Sequence, residues 1–410
     1  MRVIVIGGGA AGFFAAITCA SVSPQTEVIL LEAGKKPLTK VHISGGGRCN
    51  VTHHCFDPAS LVQAYPRGGK ALRGAFTRFQ PQDTIRWFEK RGVALKTEAD
   101  GRMFPTTDHS ETIVNCLMKE AKARGVQIKT GAKVQWLSYE KGQFIVDLKG
   151  GDSLCSDRAL LATGSQRLPY QWASQFGHKI IPPIPSLFTF NIEDERLQDL
   201  AGISIEKVEL QLASKGKAKY RQSGELLITH WGLSGPAVLK LSAYGARVLS
   251  DHGYKMGLFI NWLPAENPET VKEQLGAQKN ETPRRQVMSF SPVSLPRRLW
   301  EKLATASGIT PTQRWAEVSK KQMTALANEL TQGKFQIQGK GVFKEEFVTC
   351  GGVDLKGINF KTMESKLVPG LYFAGEILDI DGITGGFNFQ SAWTTGWLAG
   401  QAMGEATNEV

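Results

Sequence analysis

A short apolar run opens the chain, and a regular succession of elements follows it. Residues 3–6 (Val-Ile-Val-Ile) are β-branched and apolar, which predicts a buried strand of a parallel sheet. Gly7, Gly9 and Gly12 come next in the spacing GxGxxG, and residues 13–20 are predicted as a helix. Residues 27–31 form a second apolar run that ends at Glu32, twenty residues beyond Gly12. The pattern predicts a strand-helix-strand unit.

Each glycine of this motif has its own physical role. Gly7 permits a tight turn, Gly9 lets the backbone approach a pyrophosphate, and Gly12 lets helix and strand pack closely. The pyrophosphate would lie at the helix N-terminus, where free amide groups and the positive end of the dipole meet it. Glu32 stands where an acid meets ribose hydroxyls and would repel a 2′-phosphate. These residues predict a site for FAD or NAD and disfavour NADP there.

Two further glycine-rich stretches favour FAD over NAD. Residues 44–50 (Ser-Gly-Gly-Gly-Arg-Cys-Asn) form a second loop soon after the second predicted strand, in the region that an FAD fold uses to wrap the diphosphate and ribityl chain. Residues 370–376 predict a strand and turn that lead through Asp379 to Gly385-Gly386 and an apolar helix from 387 to about 403. Aimed at the flavin, the N-terminus of that helix would stabilise the anion of reduced flavin.

Composition narrows the class of protein. The 410 residues suggest two or three domains, and a hydrophobic fraction of 41% excludes global disorder. The six cysteines include no Cys-x-x-Cys pair, which argues against a disulfide framework, a zinc site and a dithiol redox centre. We therefore expect no metal and a reducing, cytoplasmic setting, without a signal peptide or a membrane helix.

The chain is strongly basic, with a net charge of +11 and a pI near 9.3. Such an excess adapts a surface to polyanions. It is compatible both with an ordinary solvated surface and with a nucleic-acid footprint. If the footprint exists, the basic side chains predicted to contact the nucleic acid are Arg67, Lys70, Arg73, Arg78, Lys215, Lys217, Lys219, Arg221, Arg297 and Arg298.

At these motifs the sequence resembles the BaiN/YhiN-type flavoproteins, also called aminoacetone-oxidase-like FAD-binding enzymes. The matching runs are residues 44–50, Thr-His-Trp-Gly-Leu-Ser-Gly-Pro (229–236), Thr-Met-Glu-Ser-Lys (362–366), Gly-Glu-Ile-Leu-Asp (375–379) and Gly-Gly-Phe-Asn-Phe-Gln (385–390). The resemblance covers essentially the whole chain. It implies an α/β fold: a two-part Rossmann-like FAD-binding domain, interrupted by an inserted β-barrel-like domain and a small helical domain.

The predicted boundaries follow from this architecture and from proline-rich breaks. We expect the first part of the FAD-binding domain at 1–185, the β-barrel-like domain at 186–263 and the small helical domain at 264–334. A return strand of the inserted domain is expected at 335–346, and the second part of the FAD-binding domain at 347–410.

The predicted site residues fall into two groups. His230 is a candidate proton donor and Cys49 a candidate thiol near the isoalloxazine, although either could instead brace or pack the fold. The set predicted to contact FAD comprises Gly7, Gly9, Ala10, Ala11, Gly12, Glu32, Ala33, Lys40, Ser44, Gly45, Gly47, Arg48, Cys49, Asn50, Val134, Ala162, Thr163, Gly164, Gly375, Glu376, Asp379, Gly386, Phe387, Asn388 and Phe389.

Two features bear on the chemistry. Residues 165–175 are shorter than the glycine-rich stretch usual in the family, so substrate access is expected to differ. No second GxGxxG unit is found, so either NADH or NADPH docks transiently at the flavin or the substrate itself supplies the electrons.

Three functions fit these features. The first is an FAD-dependent reductase of a conjugated C=C bond, in one branch of the family a reductase that converts a uridine of 23S ribosomal RNA to dihydrouridine. The second is an FAD-dependent oxidase of a small amine or ketone. The third is an RNA-binding factor that keeps FAD without turnover.

Overall fold

A parallel sheet forms around the first strand of the chain. In this computed structural model, which describes residues 1–214, 220–341 and 348–405, β1 is Arg2–Ile6 and pairs with β2 (Glu27–Glu32) on one side and β10 (Arg158–Leu161) on the other. Four of the five residues of β1 are buried, because helices cover both faces of a parallel sheet and leave no polar face in its strands.

The chain divides into two units, the first comprising residues 1–184 and those from 348 onward. The other strands of the first unit are β3 (Thr52–His53), β4 (Leu95–Thr97), β5 (Arg102–Pro105), β6 (Gln127–Thr130), β7 (Val134–Glu140), β8 (Gln143–Leu148), β9 (Ser153–Ser156), β11 (Ile180–Ser186), β19 (Val348–Val353), β20 (Ile358–Asn359), β21 (Glu364–Ser365) and β22 (Leu371–Phe373). Its helices are α1 (Ala10–Val22), α2 (Thr39–Gly47), α3 (Pro58–Leu61), α4 (Gly69–Phe76), α5 (Pro81–Glu89), α6 (Ser110–Ala123), α7 (Arg167–Gln175) and α12 (Phe387–Glu405).

The main sheet of the first unit has the order β20-β21-β22-β10-β1-β2-β6. The strands from β22 to β6 run parallel, and β20 and β21 are antiparallel additions. Because β22 comes from the end of the chain and pairs with β10, the sheet is assembled from both parts of the sequence. The predicted α/β class with a two-part Rossmann-like sheet is confirmed.

The second unit comprises residues 185–347. Its strands are β12 (Phe190–Asn191), β13 (Ser204–Leu212), β14 (Arg221–Thr229), β15 (Gly232–Ser234), β16 (Met256–Asn261), β17 (Gly333–Ile337) and β18 (Gly339–Lys340). Its helices are α8 (Pro236–Asp251), α9 (Pro268–Glu281), α10 (Arg297–Ala306) and α11 (Lys320–Gln332).

An antiparallel sheet in the order β17-β16-β13-β14-β15-β12-β18 forms the body of the second unit. Its two edge strands, β17 and β18, are separated in sequence only by Gln338, so the sheet curls back on itself like a barrel. One hydrophobic core contains both strand residues, such as Leu210, and helix residues, such as Trp300 and Leu326. The strands expected at 186–263 and the helices expected at 264–334 thus share one core.

Candidate dinucleotide site

The turn between β1 and α1 has the geometry that its glycines predict. A Cβ on Gly7 would lie 2.3 Å from the carbonyl oxygen of Ala162, and one on Gly12 would lie 1.9 Å from that of Gly7. A Cβ on Gly9, by contrast, would meet nothing within 4 Å. Gly7 and Gly12 are therefore required by packing, whereas Gly9 borders open space at the start of α1.

The N-terminus of α1 is left open for an anion. Gly9 is its N-cap, no side chain caps the helix, and its first turn holds no acidic residue. Ala10 is half-buried there, and Ala11 is buried. The free amide groups and the helix dipole fit the diphosphate of a dinucleotide.

Glu32 lies at the end of β2, beside the same turn. Its carboxylate accepts hydrogen bonds from the backbone amides of Gly8 (2.9 Å) and Gly34 (2.6 Å). Each oxygen keeps a further lone pair with which it can accept a ribose hydroxyl. Ala33 follows on the exposed side, and Val134 begins β7 two residues after Ala132, whose amide donates to the Glu32 carbonyl at 2.9 Å.

The second glycine loop starts inside a helix. Residues Ser44, Gly45 and Gly46 leave helical geometry within α2, with φ of +58° at Gly45 and +67° at Gly46. A Cβ on Gly46 or Gly47 would meet nothing within 4 Å. This loop is therefore an exposed turn of glycines beside open space, a form that backbone contact with a ligand requires.

The second glycine loop and the carboxy-terminal turn lie together although they are more than 330 residues apart in sequence. The side-chain amide of Asn50, in its hydrogen-bonded orientation, accepts from the Gly386 amide at 3.0 Å and donates to the Thr52 carbonyl. His53 Nδ1 lies 3.0 Å from the Gly385 carbonyl, and its ring stacks on Phe387 with centroids 4.5 Å apart. These contacts fix the start of α12, which begins at Phe387.

A polar cluster joins the ends of β10 and β22. Lys40 Nζ lies 2.7 Å from Glu376 Oε2, and Glu376 Oε1 accepts from the Thr349 amide at 3.0 Å. Gly164 lies beside this pair, since a Cβ on it would be 3.7 Å from Glu376 Oε2. Ala162 and Thr163 form the turn after β10, where the Ala162 amide donates to the Ile6 carbonyl.

Two buried hydroxyls in this region have no hydrogen-bond partner among the described residues. They are Thr163 Oγ1 and Tyr170 Oη, and Tyr170 is only 6% exposed. Burial, and then the negative charges of Glu376 and Asp379, raise the pKa of Tyr170 well above its ordinary value. Tyr170 therefore stays protonated and offers a donor, and a bound ligand can supply the missing acceptors. The open glycine turns and these hydroxyls together fit FAD.

Cys49 does not have the properties of a reactive thiol. It is fully buried, its φ is +61°, and burial raises the pKa of the thiol to about 12. A thiolate is the reactive form, so these properties argue against a catalytic role for Cys49. Arg48, beside it, lies 2.6 Å from Glu98 and stacks over the Phe104 ring at 4.0 Å. Both side chains are committed to the packing of the loop.

Four further residues of the predicted FAD-contacting set make contacts within the chain. Asn388 donates to the Gly382 carbonyl at 3.0 Å and accepts from its amide at 2.8 Å, so its side chain closes the turn before α12. Phe389 stacks on Trp393 at 5.6 Å. Gly375 packs against Ala11, while Asp379 is half-buried and its amide donates to the Val353 carbonyl.

Several residues of this site were absent from the predicted FAD-contacting set, although Gln390 ends the matching run 385–390. Tyr65 donates to the Phe387 carbonyl at 2.7 Å, and Arg67 forms an ion pair with the fully buried Asp381. Gln390 Oε1 accepts from Thr52 and Thr84. For Tyr65 and Arg67, the sequence signal available was their position just before Gly68 and Gly69.

The remaining predicted residues, His230 and several RNA-contacting candidates, belong to the second unit. His230 is exposed in the turn between β14 and β15 of the second unit. Lys215, Lys217 and Lys219 lie outside the described residues. Arg221 lies 3.6 Å from Glu209, Arg297 lies 2.8 Å from Glu301, and Arg298 donates to the Asp199 carbonyl.

No group of side chains in the described ranges could hold a metal ion. None of the helices in the described part of the chain has the length and apolar character that crossing a bilayer requires.

Known proteins resemble this chain over nearly its whole length. It is 34% identical over 415 residues to the ribosomal RNA dihydrouridine synthase of Escherichia coli (strain K12), covering 98% of this chain and 97% of that protein. It is 29% identical over 412 residues to the 3-dehydro-bile acid delta(4,6)-reductase of Clostridium scindens, covering 98% and 99%. The structure of 3-ketosteroid-delta4-(5alpha)-dehydrogenase from Rhodococcus jostii RHA1 has the same fold, with a TM-score of 0.52, 14% identity and coverage of 98% and 96%.

The family follows from these comparisons and from the site. The HI0933-like protein Rossmann domain matches residues 1–402. The resemblance stated from the motifs is thereby confirmed, as is the enzyme class. The chain belongs to the HI0933-like Rossmann family of FAD-dependent oxidoreductases.

Proposed function

We propose that this enzyme reduces a conjugated C=C bond, and that the bond belongs to a uridine of 23S ribosomal RNA, which becomes dihydrouridine. The observation that carries the proposal is the 34% identity, over 98% of the chain, to a protein named for this reaction. The second relative, at 29% identity, is named for reduction of double bonds in a small molecule, so C=C reduction is common to both.

The chain's own groups would hold FAD at the glycine turns and the polar cluster described above. The amides of the turn from Gly7 to Gly12 bind the diphosphate, and Glu32 accepts from the adenosine ribose. Thr163 Oγ1 and Tyr170 Oη donate to oxygens of the same cofactor beside Lys40 and Glu376. Asp379 would accept from ribityl hydroxyls, and the amides at the start of α12 would stabilise negative charge on the reduced flavin.

When bound in its reduced form, FAD would supply the hydride for one carbon of the double bond. A proton adds to the other carbon, and NADH or NADPH is oxidised to replace the two electrons. Tyr170 keeps its proton at neutral pH because of its raised pKa, so it serves as a hydrogen-bond donor and not as a base. Cys49 supplies neither proton nor thiolate in this scheme.

Exposed basic residues in and near helix α4 of the first unit could bind the phosphates of an RNA substrate. Lys70, Arg73 and Arg78 are exposed, with no residue of opposite charge in α4. Arg67 is removed from the predicted RNA-contacting set, because its guanidinium is committed to the buried Asp381. RNA phosphates would contact Lys70, Arg73 and Arg78.

The experiment uses the purified yellow protein and ribosomal RNA from a strain that lacks its gene. The protein is reduced without oxygen by NADH or NADPH and incubated with the RNA, and nucleosides are analysed by mass spectrometry. We expect one uridine to gain two hydrogens, and the same nucleoside to be missing from RNA of the deletion strain. Unchanged RNA in both assays would overturn the RNA substrate, and consumption of a small enone would then support the reductase of small molecules.

A further inference from the structure

The second unit contains a groove that no part of the flavin chemistry uses. Its volume is about 940 Å³, and it lies between residues 204–207 at the start of β13, residues 262–266 after β16, and residues 289–297 before α10. This volume is within the range of about 300–1,000 Å³ that small-molecule sites occupy. All three segments belong to the same unit, so the groove is a feature of that unit alone.

An aromatic ring stands open at the groove. Phe290 is 44% exposed, and the guanidinium carbon of Arg285 lies 4.6 Å from its ring centroid. Arg285 is held there in part by a hydrogen bond from its Nε to Ser289 Oγ at 3.2 Å. A flat ring layered with a guanidinium is the platform on which proteins stack unpaired bases, because every base has a π-face.

A buried indole forms part of the wall of the groove. Trp262 is 1% exposed and lines the groove, and its indole Nε1–H has no hydrogen-bond partner among the described residues. The Nε1 atom is itself buried, so the indole forms a rigid wall of the groove and offers no donor to a ligand inside it. Ser291 and Ser294 add hydroxyls along the same wall.

The charges of the groove select among nucleotide ligands. Lys207 and Arg297 line it, and so do the carboxylates Glu206 and Glu266. Because Arg297 also pairs with Glu301, the cations do not outnumber the carboxylates, and a triphosphate, whose several charges would meet Glu206 and Glu266, is disfavoured. Each phosphodiester of a single strand carries one negative charge, fewer than a triphosphate concentrates in one place, and Lys207 and Arg297 can each meet one phosphate.

We propose that this groove binds an unpaired nucleotide of the RNA substrate, with its base stacked on Phe290. The inference rests on the proposed RNA-modifying function. It adds a second RNA contact, in the second unit, that is separate from the reacting uridine. The site would hold a single-stranded segment and would not read a duplex, whose bases are already stacked.

The test measures binding of a fluorescein-labelled octauridylate to the FAD-loaded protein by fluorescence anisotropy. The variant Phe290→Ala removes the platform, and Phe290→Tyr keeps it. Trp136→Ala is the matched control, because Trp136 on β7 of the first unit is also 44% exposed. We expect Phe290→Ala to weaken binding about tenfold, and the other two variants to bind within about twofold of the parent protein.

The outcomes separate this inference from the proposed function. If Phe290→Ala and Trp136→Ala bind equally well, the groove is not the site, whatever the enzyme reduces. If Phe290→Ala alone loses affinity while the parent protein forms no dihydrouridine, the groove binds RNA and the proposed reaction is overturned. Preference for a duplex of the same length would also overturn the inference.

Discussion

Gly9 and Gly12 belong to the same GxGxxG motif but are required for different physical reasons. Gly12 has no room for a methyl group because the Gly7 carbonyl lies 1.9 Å from its Cβ position. Gly9 has room, and its φ of −93° and ψ of −169° are ordinary for any residue. Packing therefore accounts for Gly12 but leaves Gly9 unexplained unless a ligand fills the space beside it.

The substitution Gly9→Ala separates these roles. The free energy of unfolding of the FAD-free protein should change by less than about 1 kcal/mol, because the new methyl meets no atom. The dissociation constant of FAD should rise by about tenfold or more, since the methyl occupies the approach to the diphosphate. Urea unfolding of the FAD-free protein and fluorescence titration with FAD measure the two quantities.

Gly74→Ala is the matched control for that experiment. Gly74 lies on α4, and its Cβ would also meet nothing within 4 Å. Its FAD affinity should equal that of the parent protein, while the helix gains up to about 1 kcal/mol of stability. Equal FAD affinity of the Gly9 and Gly74 variants would contradict the assignment of the diphosphate to this turn.

Tyr170→Phe tests the buried hydroxyl. Without FAD the variant should be as stable as the parent or more stable by about 1 kcal/mol, because a buried donor without a partner is removed. With FAD bound, the variant should be less stable than the parent protein. Its dissociation constant for FAD should rise by about fivefold to tenfold, because one hydrogen bond is lost. Thermal unfolding with and without FAD measures both effects, and a variant that retains full FAD affinity would exclude Tyr170 from the cofactor site.

Side-chain roles were harder to predict than glycine positions. The GxGxxG spacing is local, and its backbone geometry follows from the six neighbouring residues 7–12. Arg67, in contrast, was predicted to face RNA and instead pairs with Asp381, 314 residues away in sequence. Tyr170 has no motif, and its importance comes only from what surrounds it in space.

At the scale of elements, two helices distant in sequence pack through small residues. Gly396 and Gly400 of α12 face α1, and their Cβ positions would lie 2.5 Å from the carbonyl oxygens of Ala11 and Ala15. Their spacing of four places them on one face of α12. This close packing fixes α12 alongside α1, with Gly396 at the level of the first turn of α1.

Gly400→Ala should therefore destabilise the protein. The methyl meets backbone, which cannot rotate away, so we expect a loss of about 2 kcal/mol in the free energy of unfolding. Gly276→Ala on α9 is the control, since that site is open and the change should be neutral or slightly stabilising. Urea unfolding followed by circular dichroism measures both, and equal stabilities would show that α1 and α12 pack less closely than described.

The individual elements follow from local pattern, whereas their pairing does not. Residues 3–6, 13–20 and 27–31 were predicted as strand, helix and strand, and the structure has Arg2–Ile6, Ala10–Val22 and Glu27–Glu32. The join of Asn50 to Gly386 could not be derived in this way, since nothing in either loop specifies the other.

At the scale of the whole molecule, the basic excess and the cofactor site should respond differently to salt. Lys70, Arg73, Arg78, Lys207 and Arg297 are exposed cations on the surfaces proposed to meet RNA. If each contacts one phosphate of a single strand, raising KCl from 50 to 200 mM should weaken RNA binding by about 100-fold, because each contact contributes about 0.7 to the logarithmic slope.

FAD affinity over the same range should change by less than about twofold, because backbone amides and buried hydroxyls, which salt does not screen, hold the cofactor. Anisotropy of labelled RNA and flavin fluorescence, followed in one salt titration, report both affinities. A flat RNA response would mean that the net charge of +11 serves solubility alone, and the RNA substrate would then have to be recognised without phosphate contacts. Parallel loss of both ligands would instead indicate that salt acts on the fold.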